Sequence, residues 1–300
     1  MGLLKSLTRI FAGSKGGKKR LKVADVNKRF DLRPRTGQGS MSKVHQAFDR
    51  DLGRTVCLKI LDKEKTANFE ARFKSAGKPS EGEVCMLLRH QNIVQTFEHG
   101  VTTKGEPYLV MEWIEGVGLN FLIETKSRQL EPNRFNYLLQ LCDAVVYLHN
   151  LRFLHRDLCP RNVMINKEGV VKLIDFGLTI PYKPEFCRPG NRTGTADYLP
   201  PELIKRQTTD HRVDLFALGV TAYEVFTGGL PWERATSSEE TLRRHMNSPP
   251  RDPRTVKPGL PEGLYRVLEK AVNRERELRY QSATEFRDAL RALSRQTQTA

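Results

Sequence analysis

Apolar and polar positions change rhythm along the chain, and those changes divide it. Leu3, Leu4, Leu7, Ile10 and Phe11 recur at three- and four-residue spacing, with Lys5, Ser6, Thr8 and Arg9 between them. That spacing predicts a short amphipathic helix with a basic face. Residues 12–20 follow as a Gly- and Lys-rich linker. From Phe30 to about Asp62 the pattern is strand-like, with a turn at residues 49–54 leading into the apolar-rich run 55–61. Residues 66–90 have a helical pattern, and two strands are expected around 93–99 and 108–113, joined by a turn at 103–106. After Gly118 the period lengthens. Phe135, Leu138, Leu139, Cys142, Val145, Val146 and His149 mark the apolar side of a long helix opened by Pro132. Later helices are expected at 213–227, 264–272 and 283–293. A small strand-rich portion thus precedes a larger helical one, with the break near 113–118.

Composition narrows the classes. A chain of 300 residues with 38% hydrophobic positions can bury a sizeable core. No apolar run approaches the roughly 20 residues of a membrane helix. The net charge is +15, and about half of it sits in residues 1–30, where Lys5, Arg9, Lys15, Lys18, Lys19, Arg20, Lys22, Lys28 and Arg29 face the single acid Asp25. The body is therefore only mildly basic and no nucleic-acid partner is expected, while residues 1–22 suit an anionic membrane surface or a partner. Met1-Gly2-Leu3-Leu4-Lys5-Ser6 also fits the template for acylation at Gly2. Five scattered cysteines without a Cys-x-x-Cys pair, and no secretory signal, fit a reducing, cytoplasmic setting with peripheral attachment through the basic arm.

Candidate chemistry lies in four segments. Thr36-Gly37-Gln38-Gly39-Ser40-Met41-Ser42-Lys43-Val44 sits between candidate strands, where glycines let backbone amides lie close over a phosphate chain. Lys59, a charge inside an apolar strand, follows at a spacing suited to the same phosphates. His155-Arg156-Asp157-Leu158-Cys159-Pro160-Arg161-Asn162 follows the long helix, and Lys172-Leu173-Ile174-Asp175-Phe176-Gly177 ends a strand beyond it. Phosphoryl transfer requires nucleotide positioning, charge neutralisation by Mg²⁺ and an oriented hydroxyl. Asn162 and Asp175 supply the oxygen ligands that Mg²⁺ favours, and Asp157 can accept the hydroxyl proton. Each acid alone could equally be a helix cap or turn residue; the ordered set of four carries the argument.

These segments resemble the eukaryotic-type (Hanks-type) protein kinase family over residues 30–293. The resemblance implies an α+β, two-lobed fold with a small antiparallel sheet lobe (30–112), a hinge (112–118) and a mostly helical lobe (119–293), flanked by the arm 1–29 and a tail 294–300. It implies ATP and Mg²⁺ as cofactors and protein Ser/Thr hydroxyls as acceptors. Thr36, Gly37, Gln38, Gly39, Ser40 and Ser42 would then form the phosphate-covering loop. Lys59 would hold the α/β-phosphates, paired with Glu81, or failing that Glu83. Val44, Cys57 and Met164 would enclose adenine, with Met111 at the back and Glu112, Trp113 and Ile114 as the hinge. Asp214 would anchor the catalytic loop and Arg279 would pair with Glu202. Thr195 in Gly194-Thr195 points to Ser/Thr acceptors. Arg156 beside Asp157 resembles kinases activated by phosphate on the activation segment, here at Thr193, with Thr195 as a further regulatory candidate. Cys159 departs from the family, which usually has lysine there; Arg161 is the candidate replacement. The alternative that Cys159 raises is a pseudokinase scaffold with little transfer.

Overall fold

The computed structural model describes residues 21–33, 37–39, 42–73 and 76–299. The expected N-terminal helix, its linker (12–20) and Gly2 lie outside that set. The chain forms two compact units: residues up to His90 together with Val94–Glu115, and Gln91–Ile93 together with Gly116 onward. The first is built mainly of strands and the second mainly of helices, the α+β arrangement expected.

The first unit is a sheet of β1 (Lys22–Ala24), β2 (Phe30–Leu32), β3 (Gly37–Gly39), β4 (Ser42–Asp49), β5 (Arg54–Leu61), β6 (Thr96–Thr102) and β7 (Pro107–Glu112), in the order β1-β6-β7-β5-β4-β2 with β3 paired to β4. The buried Asp49 ends β4 and accepts from the amides of Asp51 and Leu52, which turns the chain into β5. Alternation along β5 sends Val56, Leu58 and Ile60 to a core with Ala47, Tyr108, Val110, Ala24 and Phe30. Cys57 and Lys59 therefore point to the other face.

Three expectations are corrected here. Residues 66–90 do not form one helix. They give α2 (Lys63–Ala71) and the short α3 (Glu81–Cys85), because Gly77 at φ +63° and Pro79 break the run before Ser80 caps a new start. The strand expected at 93–99 begins at Thr96, since Ile93 bridges Leu173 in the second unit. Residues 22–29, assigned to the arm and linker, instead form β1 and α1 (Val26–Arg29), and β1 pairs in parallel with β6.

The second unit is built on α5 (Leu130–Asn150) and α7 (Arg212–Thr227). The short elements β8 (Gly116–Gly118) and α4 (Leu119–Glu124) precede α5, and α6 (Pro201–Ile204) lies between α5 and α7. On α5, Tyr137, Leu138, Leu141, Cys142, Val145 and Leu148 are buried. Almost all of α7 is buried, and it ends at Gly228 in the left-handed region. Helices α8 (Ser238–Asn247), α9 (Pro253–Val256), α10 (Glu262–Ala271) and α11 (Ala283–Thr299) complete it. β8, β10 (Val163–Asn166) and β11 (Val171–Leu173) make one small sheet, and β9 (Phe153–Leu154) with β12 (Ile180–Pro181) another. Among the described residues no helix is long and apolar enough to cross a membrane.

Candidate active site

In the first unit Gly37, Gln38 and Gly39 form β3, opposite Val44, Lys43 and Ser42; Thr36 and Ser40 lie outside the described residues. Lys59 is 6% exposed. A buried ammonium is costly unless it is paired, and Nζ donates to Glu81 Oε1 at 2.7 Å. Glu83 is committed elsewhere: its carboxylate accepts from the amide of Ser80, whose hydroxyl accepts from the amide of Glu83, a capping box. Val44 stands opposite Lys59, and Cys57 opposite Met111. Burial, against the nearby charge of Lys59, pushes the Cys57 thiol up to about 11, so it stays a neutral surface. Glu112 Oε1 accepts from Gln95 N at 2.8 Å, Met111 and Ile114 are buried, and Trp113 is half-buried.

The second unit holds the catalytic-loop candidates. Asp214, fully buried in the first turn of α7, accepts from the amides of His155 and Arg156, both at 2.8 Å, and pairs with His149 Nε2 at 2.9 Å. Burial would raise its pKa. The His149 hydrogen bond and charge and the Arg156 amide outweigh that and hold it below the ordinary carboxylate range. Two amides held by one carboxylate fix the backbone entering Asp157. Asp157 Oδ1 accepts from both the amide and the hydroxyl of Thr195 at 2.8 Å, and Oδ2 accepts from Asn162 Nδ2 at 3.0 Å. Thr195 can come this close because Gly194 precedes it. At φ +124°, a side chain on Gly194 would meet Arg156 O at 2.8 Å.

Asn162 Nδ2 also donates to the Asp157 carbonyl at 2.8 Å, which leaves its amide oxygen as the outward acceptor. The Ile174 amide donates to Asn162 O at 2.9 Å, tying the loop to the segment that ends in Asp175 at φ +63°. Met164, on β10, lies opposite Gly118. Cys159 is buried; desolvation and the Asp157 charge lift its thiol to about 11, so position 159 holds no charge. Arg161 is exposed and lines a cavity of about 470 Å³ with Thr195, Glu124, Asp197 and Arg234. Arg156, 5% exposed, donates Nη2 to Asn191 O at 2.6 Å, while its Nε and Nη1 are enclosed without a partner. The Thr193 hydroxyl is likewise enclosed without one. Glu202 and Arg279 form a buried bidentate pair at 2.7 and 2.8 Å.

Lys59 and Glu81 meet in one unit; Asp157, Asn162 and Thr195 meet in the other, with Asp214 behind them. Sequence reasoning treated Thr195 as a selector and regulator and missed its grip on Asp157. It also missed His149, whose helical spacing reads as an apolar-face position.

Comparison with known proteins gives a match to the model of the protein kinase domain over residues 30–289. The chain is 32% identical over 272 residues to a probable serine/threonine-protein kinase PknB of Bifidobacterium longum, covering 86% of this chain and 39% of that protein. It is 32% identical over 274 residues to serine/threonine-protein kinase PknB of Mycobacterium tuberculosis (87% and 42%). It is also 30% identical over 245 residues to an Aurora kinase of Yarrowia lipolytica (80% and 63%). The chain thus spans about two fifths of the length of these bacterial relatives.

Proposed function

The chain belongs to the protein kinase family, and from that premise we propose that it transfers the γ-phosphate of ATP, with Mg²⁺, to Ser or Thr hydroxyls of proteins, itself included. The carrying observation is the Asp157 carboxylate, held by the Thr195 amide and hydroxyl and by Asn162. A carboxylate fixed on both oxygens is oriented to accept a hydroxyl proton as the oxygen attacks phosphorus. Lys59, paired with and aimed by Glu81, supplies the cation for the nucleotide phosphates. Arg161 offers the positive charge that Cys159 lacks.

The residues present fit a hard cation. The outward oxygen of Asn162 and the carboxylate of Asp175 are both oxygen donors, as Mg²⁺ favours. Among the described residues no cluster of three or more His, Cys, Asp or Glu is arranged to hold a metal, so phosphate oxygens would complete the shell. Bound there, Mg²⁺ would neutralise phosphate charge. Arg156, with two enclosed N–H groups unpartnered, supports a regulatory reading in which phosphate on Thr193 supplies the missing acceptor.

The test is labelled-ATP autophosphorylation with site mapping, comparing the wild type with Asp157→Asn. A loss of roughly 10²–10⁴-fold is expected for the variant. Transfer by the wild type no greater than by Asp157→Asn would leave only a nucleotide-binding scaffold. Mapping that finds Thr193 unmodified in active protein would remove the regulatory reading.

A further inference from the structure

The segment before residue 30 lies outside the matched kinase span, yet it is tied closely to the sheet. β1 lies parallel to β6 in the register Lys22↔Gly100, Val23↔Val101, Ala24↔Thr102, and Thr103 N donates to Ala24 O at 3.0 Å. Asp25 caps α1 by accepting from the amides of Asn27 and Lys28. Arg29, 7% exposed, places Nε and Nη2 on the two oxygens of buried Asp49 at 2.9 and 2.7 Å, and its third nitrogen, Nη1, donates to Glu98 Oε1. Lys22 Nζ reaches Glu98 Oε2, and the Tyr108 hydroxyl donates to Glu98 Oε1 at 2.7 Å. Both ends of the segment thus converge on one carboxylate of β6.

The residue after Glu98 touches the candidate site. A Cβ added to Gly82 would lie 2.5–2.7 Å from the His99 ring and Cβ, so α3 rests directly on His99. Gly82 adjoins Glu81, the partner of Lys59. α3 has only five residues, and a helix that short holds its place by packing rather than by its own hydrogen bonds. On the other side, a Cβ at Gly100 would lie 2.3 Å from the Lys22 carbonyl oxygen, so β1 sits equally tightly on the same strand.

We propose that residues 22–29 are a positioning strap: by fixing Glu98 they set β6, and through His99 against Gly82 they set α3 and the Glu81 carboxylate that aims Lys59. Arg29 is the positioning residue. The inference rests on the proposed kinase reading for its kinetic consequence alone; its structural consequence stands without it.

The experiment uses the full chain and the variants Arg29→Met, Arg29→Lys, Lys22→Gln and His99→Ala. Hydrogen exchange of the peptide covering 81–88 is measured beside that covering α5, together with KM for ATP, KM for a protein acceptor and kcat. Arg29→Met should raise α3 exchange and raise KM for ATP by roughly 5-fold or more, the scale of typical coupling between sites, while α5 exchange and the acceptor KM stay put. Arg29→Lys should recover part of the loss, since lysine cannot form the two-pronged contact. Lys22→Gln, at a half-exposed residue, provides a milder form if Arg29→Met does not fold. His99→Ala should match Arg29→Met, and the two together should add nothing further to KM for ATP. Unchanged α3 exchange in every strap variant, or strictly additive effects of Arg29 and His99, would overturn the strap. Absence of any phosphotransfer by the wild type would defeat the kinase reading and leave the exchange result to judge the strap.

Discussion

Replacing Thr195 by valine removes one hydroxyl from the grip on Asp157 and little else. Valine keeps the β-branched shape, and the backbone N–H that donates to Asp157 Oδ1 at 2.8 Å is retained. The lost contact is the Oγ1 bond to the same oxygen, also 2.8 Å. The Cys159 sulfur stands 4.0 Å from the same hydroxyl and tolerates a methyl group in its place. A hydrogen bond to a charged group is worth about 1.5–3 kcal/mol. If the whole of that is spent on holding the carboxylate toward the attacking hydroxyl, kcat falls roughly 10- to 150-fold at about 1.4 kcal/mol per tenfold. The remaining bonds from the Thr195 amide and Asn162 prevent complete loss. Steady-state phosphorylation of a generic protein acceptor should show the drop in kcat with KM for ATP nearly unchanged, and the melting temperature should move little. Thr195→Ser keeps the oxygen and should stay within a few-fold of the wild type. A valine variant with wild-type kcat, or a serine variant as damaged as valine, would refute the reasoning.

Four further outcomes follow from the same structure. His155 and His245 are buried, and burial holds both below the ordinary histidine range despite neighbouring carboxylates and, for His245, a contact with Leu199 O. Below about pH 6.5 the unfolded chain gains protons that the folded state refuses, so stability declines with acid by up to about 1.4 kcal/mol per pH unit for each histidine. Melts between pH 7.5 and 5.5 should show this, with a flatter slope in His245→Gln; a pH-independent melt would contradict it. Arg279→Met leaves the buried Glu202 carboxylate unpaired, a cost of about 3–5 kcal/mol, so the melting temperature should drop by roughly 10 °C; a drop under 2 °C would remove the pair from the account. Arg161→Ala should lower kcat by roughly 10- to 100-fold, the loss of one cationic contact to transferring phosphate, and undiminished turnover would return Arg161 to the solvent. Deleting residues 2–20 should abolish sedimentation with anionic vesicles, given about 1 kcal/mol per basic residue near such a surface; unchanged sedimentation would dispose of the membrane role for the arm.

Much of the second unit was legible because its signals are local. The 3.6-residue period of α5 and α7 buries one stripe or nearly the whole surface, and either pattern survives any tertiary arrangement. The polar α8 was missed for the complementary reason. Its interior residues, such as Thr241 and His245, do not look apolar, and they are buried because they dock beneath residues 196–204. Asn162 and Asp175 stood out because the spacing of polar groups on a loop is a sequence property. The grip of Thr195 on Asp157 was not legible, since 38 residues separate them.

The sequence by itself determined the α+β order of elements, the family and the identities of the chemically capable side chains, because periodicity, turn chemistry and motif spacing act over a few residues at a time. Only the tertiary structure decided which of Glu81 and Glu83 faces Lys59, what holds Asp157, and that residues 22–29 belong to the sheet. Each of those outcomes depends on desolvated charges finding partners across long separations. A buried carboxylate such as Asp49 or Asp214 is stable only where the folded chain brings several donors to it at once.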